Sequence, residues 1–208
     1  MRLNVHSVFR TAMDNTSNKK AIILECTLEL VREYGLQGFP ISEVAKKGGI
    51  AVGTIYHYFE GKDQLIQELY QYVVEMIYQV ALRQDDASKS FQERYFSFWT
   101  NMVALYESKP SIITFFELYN NSCYRRNSDA EQKSKFYEWL FAFFDEGLKS
   151  GEIREIDKEI LAVLVLGNMH TSARVKMNRA FQGRNSTLDL SEIAKVIWEG
   201  IKSRNDAA

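Results

Sequence analysis

The chain has 208 residues and a mass of 24.1 kDa, with 46% hydrophobic and 25% charged residues, which is typical of one large folded domain or two small ones. Its 26 basic and 27 acidic residues leave a net charge of -1, which argues against a uniformly basic nucleic-acid coat but permits a local basic face. Only 2 prolines and 11 glycines interrupt the chain, and this disfavours a sandwich or barrel with a turn every ~8–12 residues.

The first predicted elements are an arm and a helix. Residues 1 to about 18 are polar and aperiodic, which predicts a loose N-terminal arm. A helix begins at Lys19, where apolar residues start to recur at helical spacing. It ends at Gly35, because glycine is the residue that a left-handed C-terminal cap prefers.

Eight further helices follow, and the first two of them are short. No stretch shows sustained alternation of apolar and polar residues, so we predict an all-α chain of about nine helices. The bounds predicted for these eight helices are 41–47, 52–58, 62–82, 91–108, 111–123, 129–150, 157–180 and 189–203.

The two short helices have the pattern of a helix-turn-helix. On their inner faces, Val44 and Ala45 can pack against Ile55 and Phe59, which are four residues apart and share a face. Gly49 supplies the positive φ that a sharp turn needs. The spacing therefore predicts a pair of helices that cross closely at the small side chain of Ala45.

The opposite face of the second short helix carries groups that suit a DNA major groove. Short donors and a small apolar side chain match base edges, thymine methyls and phosphate oxygens. Lys62 opens the next helix, where its charge and the free amides can hold a phosphate. The alternative is a buried aromatic cluster at 56–59 with Lys62 solvated. The residues predicted to face outward are Val52, Gly53, Thr54, Tyr56 and His57.

The stretch from about Lys20 to Leu69 resembles the DNA-binding domain of the tetracycline-repressor (TetR) family of bacterial transcription regulators. It covers about fifty of the 208 residues, and the remainder matches the family only in size and helical content. The resemblance implies a homodimer that binds a palindromic operator, with repression relieved when a small molecule enters the C-terminal domain. The residues that carry it are Leu30, Tyr34, Gly35, Ile41, Val44, Ala45, Gly49, Ile50, the run Gly53 to Phe59, Lys62 and Leu65.

The resemblance also implies roles for individual residues. Two positions depart from the family pattern: Pro40 stands where a threonine often caps the second helix, and Ala51 where a serine usually caps the recognition helix. Because Ala51 cannot cap, the helix loses about 1 kcal/mol, and we expect a less rigid recognition helix that still binds DNA. The implied operator contacts are Thr54, Tyr56, His57 and Lys62, and the implied groove-lining residues are Ala51, Val52 and Gly53.

Charge placement agrees in sign with DNA binding at the N-terminal end. Residues 1–62 contain eight basic and six acidic residues, for a net +2, and the rest contains 18 basic and 21 acidic residues, for a net -3. Lys19, Lys20 and the arm before them can reach the DNA backbone or a minor groove, or they are simply solvated.

The C-terminal two-thirds is rich in aromatic residues on three of its predicted helices. Large rings on converging helices form an ordinary core, and they also leave space that an apolar or aromatic ligand can fill. Polar residues inside apolar stretches are the better candidates for orienting a ligand. The predicted ligand-binding residues are Trp99, Tyr119, Cys123, Tyr137, Asn168 and His170.

The last two predicted helices carry more apolar surface than one packing face needs. The helix from about Asp157 is apolar all round in its first half, so it must be covered on more than one side. Two such helices from each subunit form a four-helix interface, and the alternative is a purely intrachain core. The predicted interface residues are Leu161, Val165, Ile193, Ile197, Trp198 and Ile201.

These observations lead to three assignments along the chain: an arm at 1–18, a helix-turn-helix DNA-binding domain at 19–62, and a ligand-binding and dimerisation domain at 63–208. We expect a cytoplasmic regulator without metal or cofactor, since two cysteines and three scattered histidines share no ligand spacing and no apolar run is long enough to span a membrane. No catalytic constellation indicates an enzyme. The alternative function is a DNA-binding protein of the same fold without a small-molecule inducer, which acts architecturally or through a protein partner.

Overall fold

The computed structural model describes residues 15–83, 85–126, 134–181 and 189–204. These ranges contain ten α-helices and no strand, so the predicted all-α fold is confirmed. Within them, no helix is long and apolar enough to cross a bilayer. The helices are α1 (Asn15–Gly38), α2 (Ile41–Gly48), α3 (Val52–Tyr58), α4 (Lys62–Arg83), α5 (Phe91–Ser108), α6 (Ser111–Asn120), α7 (Cys123–Arg126), α8 (Lys135–Lys149), α9 (Lys158–Phe181) and α10 (Leu190–Ile201).

The first helix is longer than predicted at both ends. It begins at Asn15, so residues 15–18 are helical, and the rest of the predicted arm lies outside the described residues. The positive φ expected at Gly35 is confirmed, at 75°. The helix kinks there and continues for one short turn to Gly38, because glycine tolerates the left-handed φ without strain.

The predicted helix 111–123 is divided in two. It ends at Asn120, since the side-chain amide of Asn121 donates to the Glu117 carbonyl (2.8 Å) and the Ser122 hydroxyl donates to the Tyr119 carbonyl (2.6 Å). These local bonds replace the next helical turn, as asparagine and serine often do. The four-residue α7 then follows.

The predicted helix 129–150 begins later than expected. Ser134 has an extended backbone (φ -84°, ψ 126°), so α8 begins at Lys135, and residues 127–133 lie outside the described part of the chain. The helix ends at Lys149, one residue before the predicted bound, and Gly151 has a positive φ of 73° in the turn that follows.

Contacts between Cα atoms divide the chain into two compact units. The first contains residues 1–74 and 108–130, and the second contains residues 75–107 and 131–208. The helix-turn-helix therefore shares its unit with α6, which packs against α1, and with α7, which packs against α6. The functional boundary after Lys62 stays a prediction.

The core of the second unit is built from aromatic rings. The Phe91 ring packs on Phe143 with a centroid separation of 4.6 Å, and Tyr95 packs on Trp198 at 5.2 Å. Because these rings fill the space between α5, α8 and α10, most of the aromatic residues noted in the sequence are core residues.

One glycine allows α8 to approach this aromatic core. A Cβ atom added at Gly147 would lie 2.6 Å from Ile153 Cδ1 and 2.8 Å from two ring atoms of Phe91. We therefore expect Gly147→Ala to lower the free energy of unfolding by about 1–3 kcal/mol through overpacking. Urea denaturation measures this loss. Gly61→Ala, where the added Cβ meets nothing within 4 Å, is the control, and an equal loss in both variants would contradict the explanation.

Candidate nucleic-acid interface and effector groove

The inner faces of α2 and α3 pack as the sequence predicts. Val44, Ala45, Ile55 and Phe59 are all buried, at 3% exposure or less. Gly49 adopts the left-handed conformation (φ 63°, ψ 33°) that the turn requires. The helix-turn-helix is therefore confirmed as a packed unit in which the outer face of α3 is free for another molecule.

The outer face of α3 presents the predicted side chains to solvent. Tyr56 is 55% exposed and Val52 40% exposed, and His57 is exposed beside them. Gly53 has open space around it, so a groove wall can approach the backbone closely. A buried aromatic cluster at 56–59 is incompatible with this exposure of Tyr56. Thr54 is half-buried.

The start of α3 matches the expected departure from the family pattern. Ala51 has an extended backbone (φ -72°, ψ 144°) and makes no side-chain cap. A backbone hydrogen bond closes the first turn, from the Thr54 N–H to the Ala51 carbonyl (2.9 Å). The recognition helix, α3, thus begins without the hydroxyl that serine provides.

Lys62 makes intramolecular bonds in this structure. Its ammonium donates to the Gln37 carbonyl (2.6 Å) and the Phe39 carbonyl (2.7 Å), and Nζ lies 4.1 Å from the centre of the Phe39 ring. Partial burial lowers the pKa of the Lys62 ammonium. The lysine therefore ties the start of α4 to the α1–α2 connection, and the phosphate contact stays a prediction.

Lys62→Met separates these two roles, because methionine keeps much of the apolar stem and removes the ammonium. If Lys62 acts as a clamp, we expect a loss of about 1–3 kcal/mol in the free energy of unfolding, since two carbonyls each lose a charged donor. The slope of log Kd against log salt concentration should then stay unchanged. A fall in that slope by about 1 per subunit, with stability preserved, would instead show a phosphate contact.

The second lysine of the predicted basic pair is also engaged. Lys20 Nζ donates to Glu68 Oε2 (3.0 Å) and lies 5.7 Å from the centre of the Phe59 ring. At the end of α2, Lys47 pairs with Glu33 (3.2 Å). Such partly exposed pairs contribute little to stability, and they reduce the positive field that the sequence count indicates.

The predicted ligand-binding residues are divided between the two units. Tyr119 and Cys123 belong to the first unit, and the other four belong to the second. Within the second unit, the Trp99 indole N–H donates to the Leu190 carbonyl (3.1 Å), which identifies it as a satisfied core residue. The Asn168 amide donates back to its own helix at the Leu164 carbonyl (2.6 Å). The His170 ring meets the Tyr106 ring edge-on, with centroids 6.2 Å apart.

Tyr137 lines a groove between α8 and α9 with a volume of about 550 Å³. The groove is largely apolar, and two carboxylates stand at its wall. Its volume lies in the range of small-molecule sites, about 300–1,000 Å³. Sequence reasoning missed its other lining residues, because they alternate with core positions on the same helices. They are Glu138, Phe141, Glu159, Ala162, Val163, Leu166 and Gly167.

The residues chosen for the dimer interface need a correction. Leu161, Val165, Trp198 and Ile201 are buried inside the chain itself, because α9 packs against α8 and α10 through the face that carries them. They are core residues of the second unit. Ile193 and Ile197 are half-buried, and the pairing of α9 and α10 with a second copy stays a prediction.

The same two helices expose a different apolar stripe. On α9, Ile160 is 54% and Val163 is 72% exposed, and on α10 Val196 is 69% exposed. Gly167 and Gly200 lie on the exposed faces of these helices, with no atom within 4 Å of an added Cβ. Large apolar side chains beside glycines give a surface that another helix can approach closely.

Two family models match the chain in succession. The model described as "Bacterial regulatory proteins, tetR family" matches residues 23–69, and the model described as "Tetracyclin repressor-like, C-terminal domain" matches residues 90–202. The first contains the helix-turn-helix, and the second extends over more than half of the chain. Both parts of the sequence therefore match models of one family.

Individual proteins that are similar to this chain in sequence or fold belong to the same class of regulator. An HTH-type transcriptional regulator of Haemophilus influenzae is 28% identical over 69% of this chain and 75% of its own length. The fatty acid metabolism regulator protein of Bacillus subtilis is 25% identical over 71% of this chain and 77% of its own length. A crystal structure of the Bacillus subtilis regulator FadR with stearoyl-CoA has the same fold, with a TM-score of 0.69 and 20% identity over 86% of this chain and 95% of that one.

Proposed function

Because this chain belongs to the TetR family of bacterial transcriptional regulators and carries a DNA-binding helix-turn-helix, we propose that it is a repressor. It binds a palindromic operator as a homodimer, and a small apolar ligand in the second unit releases it. The observation that carries this proposal is the exposed face of α3 held on a buried helix-turn-helix core, with Tyr56 and His57 outward. Operator contacts then come from Thr54, Tyr56 and His57, with Ala51 to Gly53 lining the groove.

The first test is binding to DNA. Duplexes enriched by the protein from a random library should share an inverted repeat with half-sites about one helical turn apart. Anisotropy titration should give a nanomolar complex that weakens steeply as salt rises. Enrichment of a single, non-repeated site, or no enrichment, would contradict binding as a dimer to a palindrome.

Support for the homodimer comes from the exposed stripe on α9 and α10. Burying Val163 and Val196 against a second copy removes apolar surface from water, and Gly167 allows the helices to approach. A two-fold axis then relates two recognition helices, which is the symmetry that a palindrome requires.

Support for an effector comes from the groove between α8 and α9. Phe141, Leu166 and Ala162 give it an apolar wall that suits a hydrocarbon or aromatic ligand. Val163 and Gly167 belong both to the groove and to the exposed stripe, so a ligand there alters the surface proposed for dimerisation. Ligand binding and operator binding must then oppose each other by the same factor.

The second test uses stearoyl-CoA as the probe, because a structural neighbour binds it. Added to the protein–DNA complex, it should lower the anisotropy at micromolar concentration, and Ala162→Trp, which fills the groove, should abolish the response without loss of DNA binding. A panel of apolar and aromatic compounds follows if stearoyl-CoA has no effect. DNA binding that no compound changes, with no thermal shift, would favour the alternative of a regulator without an inducer.

A further inference from the structure

The chain segments on either side of the helix-turn-helix meet at a phenol that lies outside it. Gln37 precedes α2, Asp63 follows α3, and both contact Tyr124 on α7. The Gln37 side-chain amide donates to the Tyr124 hydroxyl (2.7 Å), and that hydroxyl donates to Asp63 Oδ1 (2.6 Å). Tyr124 therefore connects a residue that precedes the helix-turn-helix to a residue that follows it. We call the set Gln37, Asp63 and Tyr124 the junction.

Lys62 adds two further hydrogen bonds between the start of α4 and the segment before α2. Its ammonium donates to the Gln37 and Phe39 carbonyls, so neighbouring residues 62 and 63 both hold the segment before α2. Two hydrogen bonds of Lys62 and two of Tyr124 fix how the helix-turn-helix leaves and rejoins the rest of the unit. The α2–α3 pair lies between these two ends in the chain and also packs on α1, so these bonds add to the contacts that orient α3.

Tyr124 is itself presented from an anchored segment. The Tyr119 ring on α6 stacks on Tyr70 of α4, with centroids 4.6 Å apart. At the other end of α6, the Ser111 hydroxyl donates to Glu29 Oε1 (2.7 Å) on α1. The α6–α7 segment that carries Tyr124 is thus held by contacts to both α4 and α1.

The phenol is suited to this role at neutral pH. Tyr124 is 6% exposed, and its burial together with the hydrogen bond to Asp63 raises its pKa to about 12. The hydroxyl therefore stays protonated and can donate. Burying a hydroxyl without a hydrogen-bond partner costs free energy. Burial of Tyr124 therefore favours the conformation in which its hydroxyl bonds to Gln37 and Asp63.

We propose that Tyr124 is a positioning residue for operator binding, which sets the angle of the recognition helix by holding Gln37 and Asp63 together. This inference rests on the operator binding proposed above. Because Tyr124 lies on α7, a displacement of α7 would break its bonds to Gln37 and Asp63. Tyr124 thereby links the position of α7 to DNA affinity.

The test is Tyr124→Phe, which keeps the buried ring and removes the hydroxyl. We expect the affinity for the selected operator to fall about five- to tenfold, while the melting temperature falls by no more than about 4 °C. Tyr72→Phe is the matched control, since the Tyr72 hydroxyl also donates to a carboxylate, Glu25 Oε1, at 2.6 Å but away from the junction. It should lower the melting temperature by a similar amount and leave the operator affinity unchanged.

A double-mutant cycle adds a readout that a merely structural role would not give. If Tyr124 acts through Asp63, Tyr124→Phe combined with Asp63→Ala, which removes the accepting oxygen, should bind the operator as weakly as the weaker single variant. Losses that multiply, unchanged affinity in Tyr124→Phe, or an equal loss in Tyr72→Phe would each overturn the proposal. If the wild-type protein enriches no duplex from the library, the proposed function itself is wrong.

Discussion

Tyr56→Ala is expected to weaken specific operator binding strongly. The side chain is 55% exposed on the outer face of α3, so its removal leaves the helix-turn-helix core intact. A side chain that contacts base edges contributes about 1–3 kcal/mol to discrimination. Because a dimer carries two such residues, we expect a loss of about 30-fold or more in affinity for the selected duplex.

The matched control for this prediction is Tyr34→Ala. Tyr34 is 52% exposed in the same unit but lies on α1 and not on the recognition helix. Both variants should unfold at the same urea concentration as the wild-type protein, and Tyr34→Ala should bind DNA normally. Wild-type affinity in Tyr56→Ala, or an equal loss in both variants, would mean that α3 does not read the operator.

The helix-turn-helix could be predicted from the sequence because every signal for it is local. Val44 and Ala45 on one side and Ile55 and Phe59 on the other follow helical spacing, and Gly49 marks the turn. Residues within about twenty positions of one another determined both the packing and the outward face. The exposure of Tyr56 follows directly once Ile55 and Phe59 are buried.

The exposed apolar stripe on α9 and α10 could not be predicted from the sequence in the same way. The first half of α9 is apolar all round, so its sequence does not distinguish the side that packs on α8 and α10 from the side that faces outward. Leu161 and Val165 were chosen, and they are buried within the chain, whereas Val163 between them is exposed. Tertiary packing decides between two apolar faces, and periodicity alone does not.

The roles of Lys62 and Tyr124 were also beyond the sequence, for a different reason. Lys62 binds carbonyls 25 and 23 residues away, and Tyr124 reaches residues 61 and 87 positions away. The Lys62 contacts follow from how α4 packs beside the end of α1, and the Tyr124 contacts follow from the position of α7, and no local pattern indicates either. The family resemblance assigned Lys62 to phosphate, and its bonds to Gln37 and Phe39 add a second function to that assignment.

The second large effect is expected from Val163→Glu on the exposed stripe of α9. In the proposed dimer, this change places a carboxylate from each subunit in an apolar interface, where an unpaired buried charge costs about 3–5 kcal/mol. Dimerisation should weaken by about 100-fold or more, as sedimentation velocity at micromolar concentration would show. Operator affinity should fall with it, because a monomer holds one half-site, whereas affinity for a half-site duplex should stay unchanged.

Leu82→Glu provides the comparison for this variant. Leu82 is 43% exposed in the same unit, on α4, so the change adds the same charge to an apolar surface residue outside the stripe. It should remain dimeric and bind the full operator. If Val163→Glu also remains dimeric, the stripe is not the interface. If it is monomeric yet binds the full operator normally, the coupling between dimerisation and palindrome recognition is wrong, since two linked recognition helices are what distinguish a full operator from its half-site.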